Sequence, residues 1–206
     1  MEEMISARRP RYIADALIGT IRERKENPRD DLISLLWKAE IDGQPMTEEL
    51  MEDYAGLLFI AGLDTVINGI GYGVKHLAQN PELQKELRAD PSKIKDAMEE
   101  LLRRYTFTIP MRRVAQEVEI EGVTLKPGEW FTLYLPAADL DARAFETPER
   151  FDMSRQKGHI AFGAGPHRCI GSHLARLELQ IAYEEVLARL PTFRLDPDSP
   201  PSFLAG

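Results

Sequence analysis

Cysteine is nearly absent. Among 206 residues there is one, Cys169, so an internal disulfide is excluded and any chemistry at that position belongs to a lone thiol or thiolate. Histidine is scarce too: His76, His159, His167 and His173 are the only four. A structural zinc site normally draws several Cys or His together, and the spacing of His167 and His173 around Cys169 fits no common zinc pattern. Positive charge is in deficit, with 26 Lys and Arg against 34 Asp and Glu for a net charge of −8. That balance argues against general nucleic-acid binding. No run approaches the ~20 apolar residues of a membrane helix, and the charged first twenty residues do not read as a secretory signal. A cytoplasmic protein without a membrane segment is therefore expected. The chain has no internal repeat and no clear linker. Its 43% apolar and 29% charged residues are those of an ordinary globular protein, long enough to bury a core as one large domain or two small ones.

The pattern is mainly helical, with a smaller β portion. Ile13, Leu17 and Ile21 recur every four residues, predicting a helix over Met1 to Arg24 that Asn27-Pro28 breaks. Asp30 or Asp31 can cap a second helix from Leu32 to about Ile41, before the turn Asp42-Gly43-Gln44-Pro45. Thr47 then reads as the N-cap of a long helix over 48–79, with Glu48 and Glu49 in its first turn. At 1.5 Å per residue this helix is roughly 48 Å long. It is apolar nearly all round from Tyr54 to Ile60, which predicts a central, buried element. Its middle, Ala61-Gly62-Leu63-Asp64-Thr65, places a glycine, an acid and a hydroxyl in that apolar stretch. Gly69, Gly71 and Gly73 follow; each costs about 1 kcal/mol against Ala in a helix, which points to a close approach.

A short helix is expected after Asn80-Pro81, and another from Asp90-Pro91 to about Arg104. Val118–Ile120 and Val123–Leu125 around Glu121-Gly122 read as a hairpin, followed by a strand over Trp130–Leu135. Residues from Pro136 to Gly171 show little periodicity, as functional loops do. Their glycine-rich end, 162–171, holds Cys169. A final helix is expected from Ser172 to Leu190, with Leu174, Leu177, Ile181 and Leu187 on its apolar face.

Cys169 sits just before that helix, where backbone N–H groups stabilise a thiolate. Gly163, Gly165 and Gly171 let the backbone fold tightly around the sulfur. Phe162 can lie against a flat apolar partner, while His167 and Arg168 can meet anions. Three readings of the cysteine compete: a buried inert thiol, a nucleophile served by His167 only two residues away, and a thiolate ligand of haem iron. Phosphate binding is disfavoured, because the glycine-rich stretch lacks a Lys-Ser/Thr pair and a preceding strand.

Phe162-x-x-Gly165-x-His167-x-Cys169-x-Gly171 resembles the haem-binding signature of the cytochromes P-450, the haem-thiolate monooxygenases. Three further landmarks occur in that family's order. Ala61-Gly62-x-Asp64-Thr65 resembles the oxygen-activation motif of the long central helix. Glu100-x-x-Arg103 resembles the Glu-x-x-Arg motif. Pro148-Glu149-Arg150-Phe151 resembles the segment whose arginine joins that pair. The wording of Gly62–Val66 and of Phe151–Lys157 looks closest to the bacterial camphor hydroxylase group. The resemblance covers essentially the whole chain, 1–206, but only the C-terminal half of the family's length.

The resemblance implies haem b as cofactor and Cys169 as its axial iron ligand, within a loop made by Phe162, Gly163, Gly165 and Gly171. It implies proton delivery by Thr65 and Asp64, with Ala61 and Gly62 leaving room for O2. The reading of Thr65 as a hydroxyl that merely bonds a carbonyl one turn back stays open beside this. Arg112 falls on the family's propionate arginine, with Arg113 adjacent and His167 as a second candidate. Glu100, Arg103 and Arg150 are implied to form a buried structural triad supporting the cysteine loop. Thr108, Ile109 and Met111, with Leu58 and Val66, would line a pocket for a small apolar substrate such as a terpenoid. O2 and a ferredoxin, met by a surface around Arg168 and Arg176, would be the other partners. Two readings follow from the half-length: a working monooxygenase, or a haem-binding domain without monooxygenase turnover, peroxide-driven or needing a partner chain or a second copy to complete the fold.

Overall fold

A computed structural model describes residues 11–156 and 158–199. The chain forms two compact units, Met1–Thr65 and Val66–Gly206. The mainly helical reading with a smaller β portion holds in both.

In the first unit, helix α1 spans Arg11–Glu26, and the expected start of this helix at Met1 lies outside the described residues. Helix α2 is Leu32–Trp37, with Asp31 as its cap: Asp31 Oδ1 accepts the Ser34 N–H at 2.9 Å. The Arg24 hydrogen bond, with that of the Ser34 N–H, holds the Asp31 carboxyl down at about 2. The helix is shorter than expected. After Lys38 the chain pairs β1 (Glu40–Ile41) with β2 (Gln44–Pro45), across Asp42 and Gly43. Both turn residues have positive φ, 51° and 74°, and Asp-Gly is among the pairs that most favour this two-residue turn. The turn thus competes successfully with continued helix.

Ile21, Met46, Met51 and Ala55 form the buried centre of this unit, with Leu36 and Trp37 packed on it. The Trp37 indole N–H donates to the Ile21 carbonyl at 2.9 Å. Thr47 caps as expected, its Oγ1 accepting the Leu50 N–H at 3.2 Å. Helix α3 is Glu48–Gln79 and crosses the division between the units.

The expected burial of α3 is corrected. Leu57, Phe59, Ile60, Leu63 and Ile67 are exposed. An apolar helix is buried only where another element lies over it, and none among the described residues covers these side chains. The expectation of no span-length apolar stretch is corrected too. By length and hydropathy alone α3 is long and apolar enough to cross a membrane. The same composition is what a helix at the centre of a folded protein carries.

In the second unit, α4 (Pro81–Ala89), a 3-10 turn (Pro91–Lys93) and α5 (Ile94–Arg104) follow. Asp90 Oδ1 accepts the Ser92 N–H at 3.2 Å, as its place before Pro91 predicts. Two antiparallel pairs come next: β3 (Met111–Arg113) with β6 (Trp130–Thr132), and β4 (Val118–Ile120) with β5 (Val123–Leu125). Glu121 and Gly122 turn the second pair at φ 49° and 78°. The segment expected as strand to Leu135 is strand only to Thr132, and α6 (Leu135–Asp139) opens the loop expected to be irregular. Pro136 in its first turn supplies the fixed φ that a helix start favours. Helix α7 is Ser172–Arg189.

Leu77, Leu87, Ile94, Ala97, Met98, Leu101, Leu179, Tyr183 and Leu187 make the core of this unit. The face of α7 that packs is therefore Leu179, Tyr183 and Leu187. Of the residues expected there only Leu187 is buried, while Leu174, Leu177 and Ile181 face outward. Two stripes of apolar residues share this helix, and the one opposite α5 is the one covered. Gln84 and Arg88 tie down its exit: Gln84 Nε2 donates to the Leu77 and Phe193 carbonyls at 2.7 and 2.9 Å, and Arg88 Nε to the Leu187 carbonyl at 2.8 Å.

Two of the α3 glycines now have a reason. The Tyr183 hydroxyl donates to the Gly69 carbonyl at 2.8 Å, and a Cβ at Gly73 would stand 2.0 Å from that hydroxyl oxygen. A Cβ at Gly69 would touch Leu179 at 3.0 Å, whereas Gly62 and Gly71 have open space. Burial also pushes the Tyr183 phenol well above its ordinary range. Gly73→Ala is expected to destabilise the protein by about 1–3 kcal/mol through overpacking against Tyr183. Gly71→Ala should be neutral or slightly stabilising, since it gains helix propensity without a clash. Urea denaturation of the two variants checks the contrast.

Candidate functional site

The loop before α7 is built on glycine conformation. Gly163 and Gly165 have φ of 70° and 66°, a region that side chains disfavour. These turns fold the chain back so that the Cys169 N–H donates to the Phe162 carbonyl at 2.8 Å. The Gly163 N–H meets the Ile160 carbonyl at 2.8 Å, and the Ser172 N–H meets the Cys169 carbonyl at 3.3 Å. Cys169 is exposed, which removes the reading as a buried inert thiol. Its sulfur lies beside Gly171, where a Cβ would approach within 3.9 Å. His167 is exposed, and neither it nor Arg168 is ion-paired among the described residues.

Behind the loop stands a buried charged network. Arg103 and Glu100, one turn apart on α5, are joined twice at 2.8 Å and both are almost wholly buried. Arg103 lies over the Phe145 ring, 5.1 Å from its centroid. Its other N–H groups donate to the Asp139 and Pro148 carbonyls at 2.6 and 2.7 Å. The third charged member is Arg155, not Arg150. Arg155 Nε reaches Glu100 Oε1 at 3.1 Å, and its terminal nitrogens take the carbonyls of Glu146, Thr147 and Arg150. Arg150 is exposed and contributes only that carbonyl. The physical reason is the turn at Thr147, φ 44°, which brings the carbonyls of Glu146, Thr147 and Arg150 onto Arg155 and leaves the Arg150 side chain exposed.

Asp139, at the end of α6, links this network to the loop. It accepts the Ile160 N–H at 2.9 Å and the Thr106 hydroxyl at 2.6 Å. Thr108 donates to the Ala161 carbonyl at 3.1 Å. One expected substrate residue therefore holds the loop's backbone; the others there, Ile109 and Met111, are exposed. A cavity of about 180 Å³ beside Glu99, Glu100, Arg103 and Arg155 is lined with charge and does not suit an apolar substrate.

Arg176, on the first turns of α7, meets Glu99 with two nitrogens, at 2.5 and 3.1 Å, and its guanidinium lies 4.5 Å from the Phe162 centroid. His159 Nε2 is 3.0 Å from Glu99 Oε2. Burial alone, the largest single effect, would raise the Glu99 carboxyl; the hydrogen bonds and charges of His159 and Arg176 together outweigh it and bring the group to about 2. Glu99, Asp139, Arg155 and His159 were not singled out from the sequence. Only Arg155, within Phe151–Lys157, lay in a stretch whose pattern marked it.

Arg112 is half-buried on β3, without a carboxylate partner among the described residues; its own Nη1 donates to the Met111 carbonyl at 2.8 Å. Arg113 is exposed beside Gly128. In the first unit the Thr65 hydroxyl donates to the Ala61 carbonyl at 2.6 Å, the one-turn bond that its residue type allows. That bond uses its proton and leaves the oxygen free to accept. Asp64, Ala61 and Gly62 are exposed, and Leu58 and Val66 are partly so.

A lone exposed thiol just before a helix, in a loop turned by positive-φ glycines and backed by a buried carboxylate–arginine network, defines a helical domain that presents a single sulfur. The chain belongs to the cytochrome P450 family, whose model matches residues 3–204. It is 42% identical to the biotin biosynthesis cytochrome P450 of Bacillus subtilis over 177 residues, 85% of this chain and 45% of that protein. It is 35% identical to a steroid C26-monooxygenase of Mycobacterium tuberculosis (strain H37Rv) over 199 residues, 91% of this chain and 49% of that protein. Its fold matches the crystal structure of CYP101J2 with a TM-score of 0.85 at 35% identity, covering 92% of this chain and 48% of that one. The chain thus spans about half the length of the relatives it matches.

Two outcomes follow from this geometry. Arg155→Ala should cost about 3 kcal/mol, because it leaves Glu100 short of a buried partner, while Arg150→Ala should stay within about 0.5 kcal/mol. Chemical denaturation of both variants compares them. The depressed Glu99 carboxyl contributes stability that is full above its ordinary value of 4.5 and is lost as pH falls through about 2. The stability gap between wild type and Glu99→Gln should therefore narrow steadily between those limits, as acid-dependent unfolding reads it.

Proposed function

We propose that this chain is the haem-carrying part of a haem-thiolate monooxygenase that hydroxylates a C–H bond of a small apolar substrate, such as a terpenoid. The observation that carries the reading is the exposed Cys169 thiol in its glycine-turned loop, on a chain of the cytochrome P450 family. The residues fit haem b. Cys169 would be the axial iron ligand, with Phe162, Gly163, Gly165 and Gly171 shaping the loop around it. Arg112, half-buried and without a carboxylate partner among the described residues, and the exposed His167 would meet the propionates, with Arg113 adjacent. Bound haem would supply iron at which O2 is reduced by two electrons and two protons, one oxygen atom entering the substrate and the other leaving as water.

The chain's own residues have distinct tasks in this reading. The Cys169 thiolate would push electron density toward the iron. Thr65 Oγ1, its proton committed to the Ala61 carbonyl, accepts a hydrogen bond from a water, and the Asp64 carboxyl feeds protons to that water. Ala61 and Gly62 leave the backbone bare, and among the described residues nothing fills the space where a Gly62 Cβ would stand. Leu58, Val66, Thr108, Ile109 and Met111 would offer the substrate its apolar contacts. Glu100, Arg103 and Arg155 are structural. Electrons would come from a ferredoxin. Of the two arginines considered for that surface, Arg168 is free of ion pairs among the described residues, whereas Arg176 is engaged by Glu99. A cytoplasmic location without membrane or nucleic-acid partners accompanies this reading.

A second reading has its own observation. Ile170, Leu174, Leu177 and Ile181 are all exposed, and large apolar patches favour association. The chain would then bind haem without monooxygenase turnover, or work with peroxide, until a second copy or another polypeptide covers this face. The purified chain should take up haem and, reduced under CO, show the Soret band of a thiolate ligand, which Cys169→His should abolish. Turnover with ferredoxin supports the first reading. Uptake without it, together with self-association in sedimentation that Leu174→Gln and Leu177→Gln reduce, supports the second. Absence of uptake defeats both.

A further inference from the structure

Glu99 and Glu100 are neighbours on α5 with separate duties. Glu100 serves Arg103 and Arg155, while Glu99 bridges the stretch before the cysteine and the first turns of α7. Both flanks of Cys169 are thereby gripped by one carboxylate. Arg176 presents two nitrogens to Glu99 and also donates to the Ser172 carbonyl at 3.3 Å, so its plane is fixed by three hydrogen bonds. A guanidinium fork held in this way stacks on an aromatic face where an ammonium would not, and the face here is Phe162 at 4.5 Å. His159 completes the arrangement. Its Nδ1 accepts the Ala161 N–H at 3.1 Å, which leaves Nε2 carrying the proton toward Glu99. The His159 ring stands 6.0 Å from the Phe162 ring, centroid to centroid. Phe162 is also the residue whose carbonyl accepts the Cys169 N–H at 2.8 Å. Its ring is gripped and its carbonyl does the gripping.

We infer that Glu99, His159 and Arg176 form a clamp on Phe162 that positions the Cys169 amide, and through it the thiolate, making them positioning residues for the iron ligand. The iron-ligand part rests on the proposed haem reading. The hold on the loop does not. A lever of this kind acts through an aromatic ring: loosening the fork lets Phe162 tilt, its carbonyl withdraws from the Cys169 N–H, and that N–H becomes available to the sulfur or to water. Outer-shell hydrogen bonds of this sort tune a metal ligand without touching the metal.

The test uses the whole chain with Glu99→Ala and Arg176→Lys, the second keeping the charge opposite Glu99 but losing the planar fork. It is the variant to read if the first does not fold. Hydrogen exchange without haem should quicken at the Cys169 amide by about fivefold or more in both variants, with peptides around Leu179 and Leu187 unchanged. An unchanged Cys169 amide, or a rise shared equally by those core peptides, overturns the clamp. In the haem-loaded chain the same variants should move the ferric-to-ferrous ratio at a fixed poise by about threefold or more. Faster exchange with an unmoved ratio and Soret band overturns the link to the ligand. Failure of the wild type to take up haem instead defeats the proposed function and that link with it, while the exchange result still decides whether the clamp holds the loop.

Discussion

The buried pairing of Glu100 with Arg103 is the interaction on which the cysteine loop depends. Two opposite charges almost wholly removed from water are stable together only when their remaining hydrogen-bonding capacity is met. Arg103 meets it by taking the carbonyls of Asp139 and Pro148, and Glu100 by taking the Asp152 N–H and Arg155. Apart from Asp139, the last residue of α6, those partners lie in irregular chain between α6 and the cysteine. The requirement to satisfy a buried pair on a helix therefore dictates the path of a segment that has little hydrophobic pattern of its own. Hydrophobic burial secures α5 against α7, but it is the polar accounting at positions 100 and 103 that gives the loop one conformation.

That dependence explains which parts were legible from residues alone. Elements governed by local rules read correctly. Thr47 and Asp90 cap, Asn80-Pro81 ends a long helix, and Glu121-Gly122 turns a hairpin, each through interactions within a few positions. The cysteine loop was legible as well, since its glycines and the single thiol form a short, dense pattern. What local reading missed is what distant chain decides. Arg150 and Arg155 are both arginines in one irregular stretch, and Glu100, far back in the chain on α5, takes the second. On α7 two apolar stripes of similar strength exist, and the presence of α5 beside Leu179, Tyr183 and Leu187 selects one. The six-residue α2 ended early because an Asp-Gly turn downstream offered paired strands instead.

The glycines of α3 show the same division within a single helix. Gly69 and Gly73 are accounted for inside the second unit, by Leu179 and by the Tyr183 hydroxyl. Gly62 is not, since no atom of the described residues stands near the Cβ it lacks. Two roles for small residues thus lie about two turns apart: one admits a neighbouring side chain, and the other leaves backbone bare toward open space. The second is the arrangement a helix needs where a ligand must come close, and it falls beside Asp64 and Thr65.

The exposed apolar side chains of α3 and α7 complete this argument. A helix that was merely solvated would gain nothing from Leu57, Phe59, Ile60 and Leu63 in succession, or from Leu174, Leu177 and Ile181 at helical spacing. Such surfaces are maintained where something apolar covers them. The chain matches relatives about twice its length, with the fold of its own half preserved at a TM-score of 0.85. Among the described residues the core of the second unit closes on itself, and Glu100, Arg103 and Arg155 find their partners there. The apolar side chains of α3 and α7 are among those left exposed, while Glu100, Arg103 and Arg155, which shape the cysteine loop, are paired.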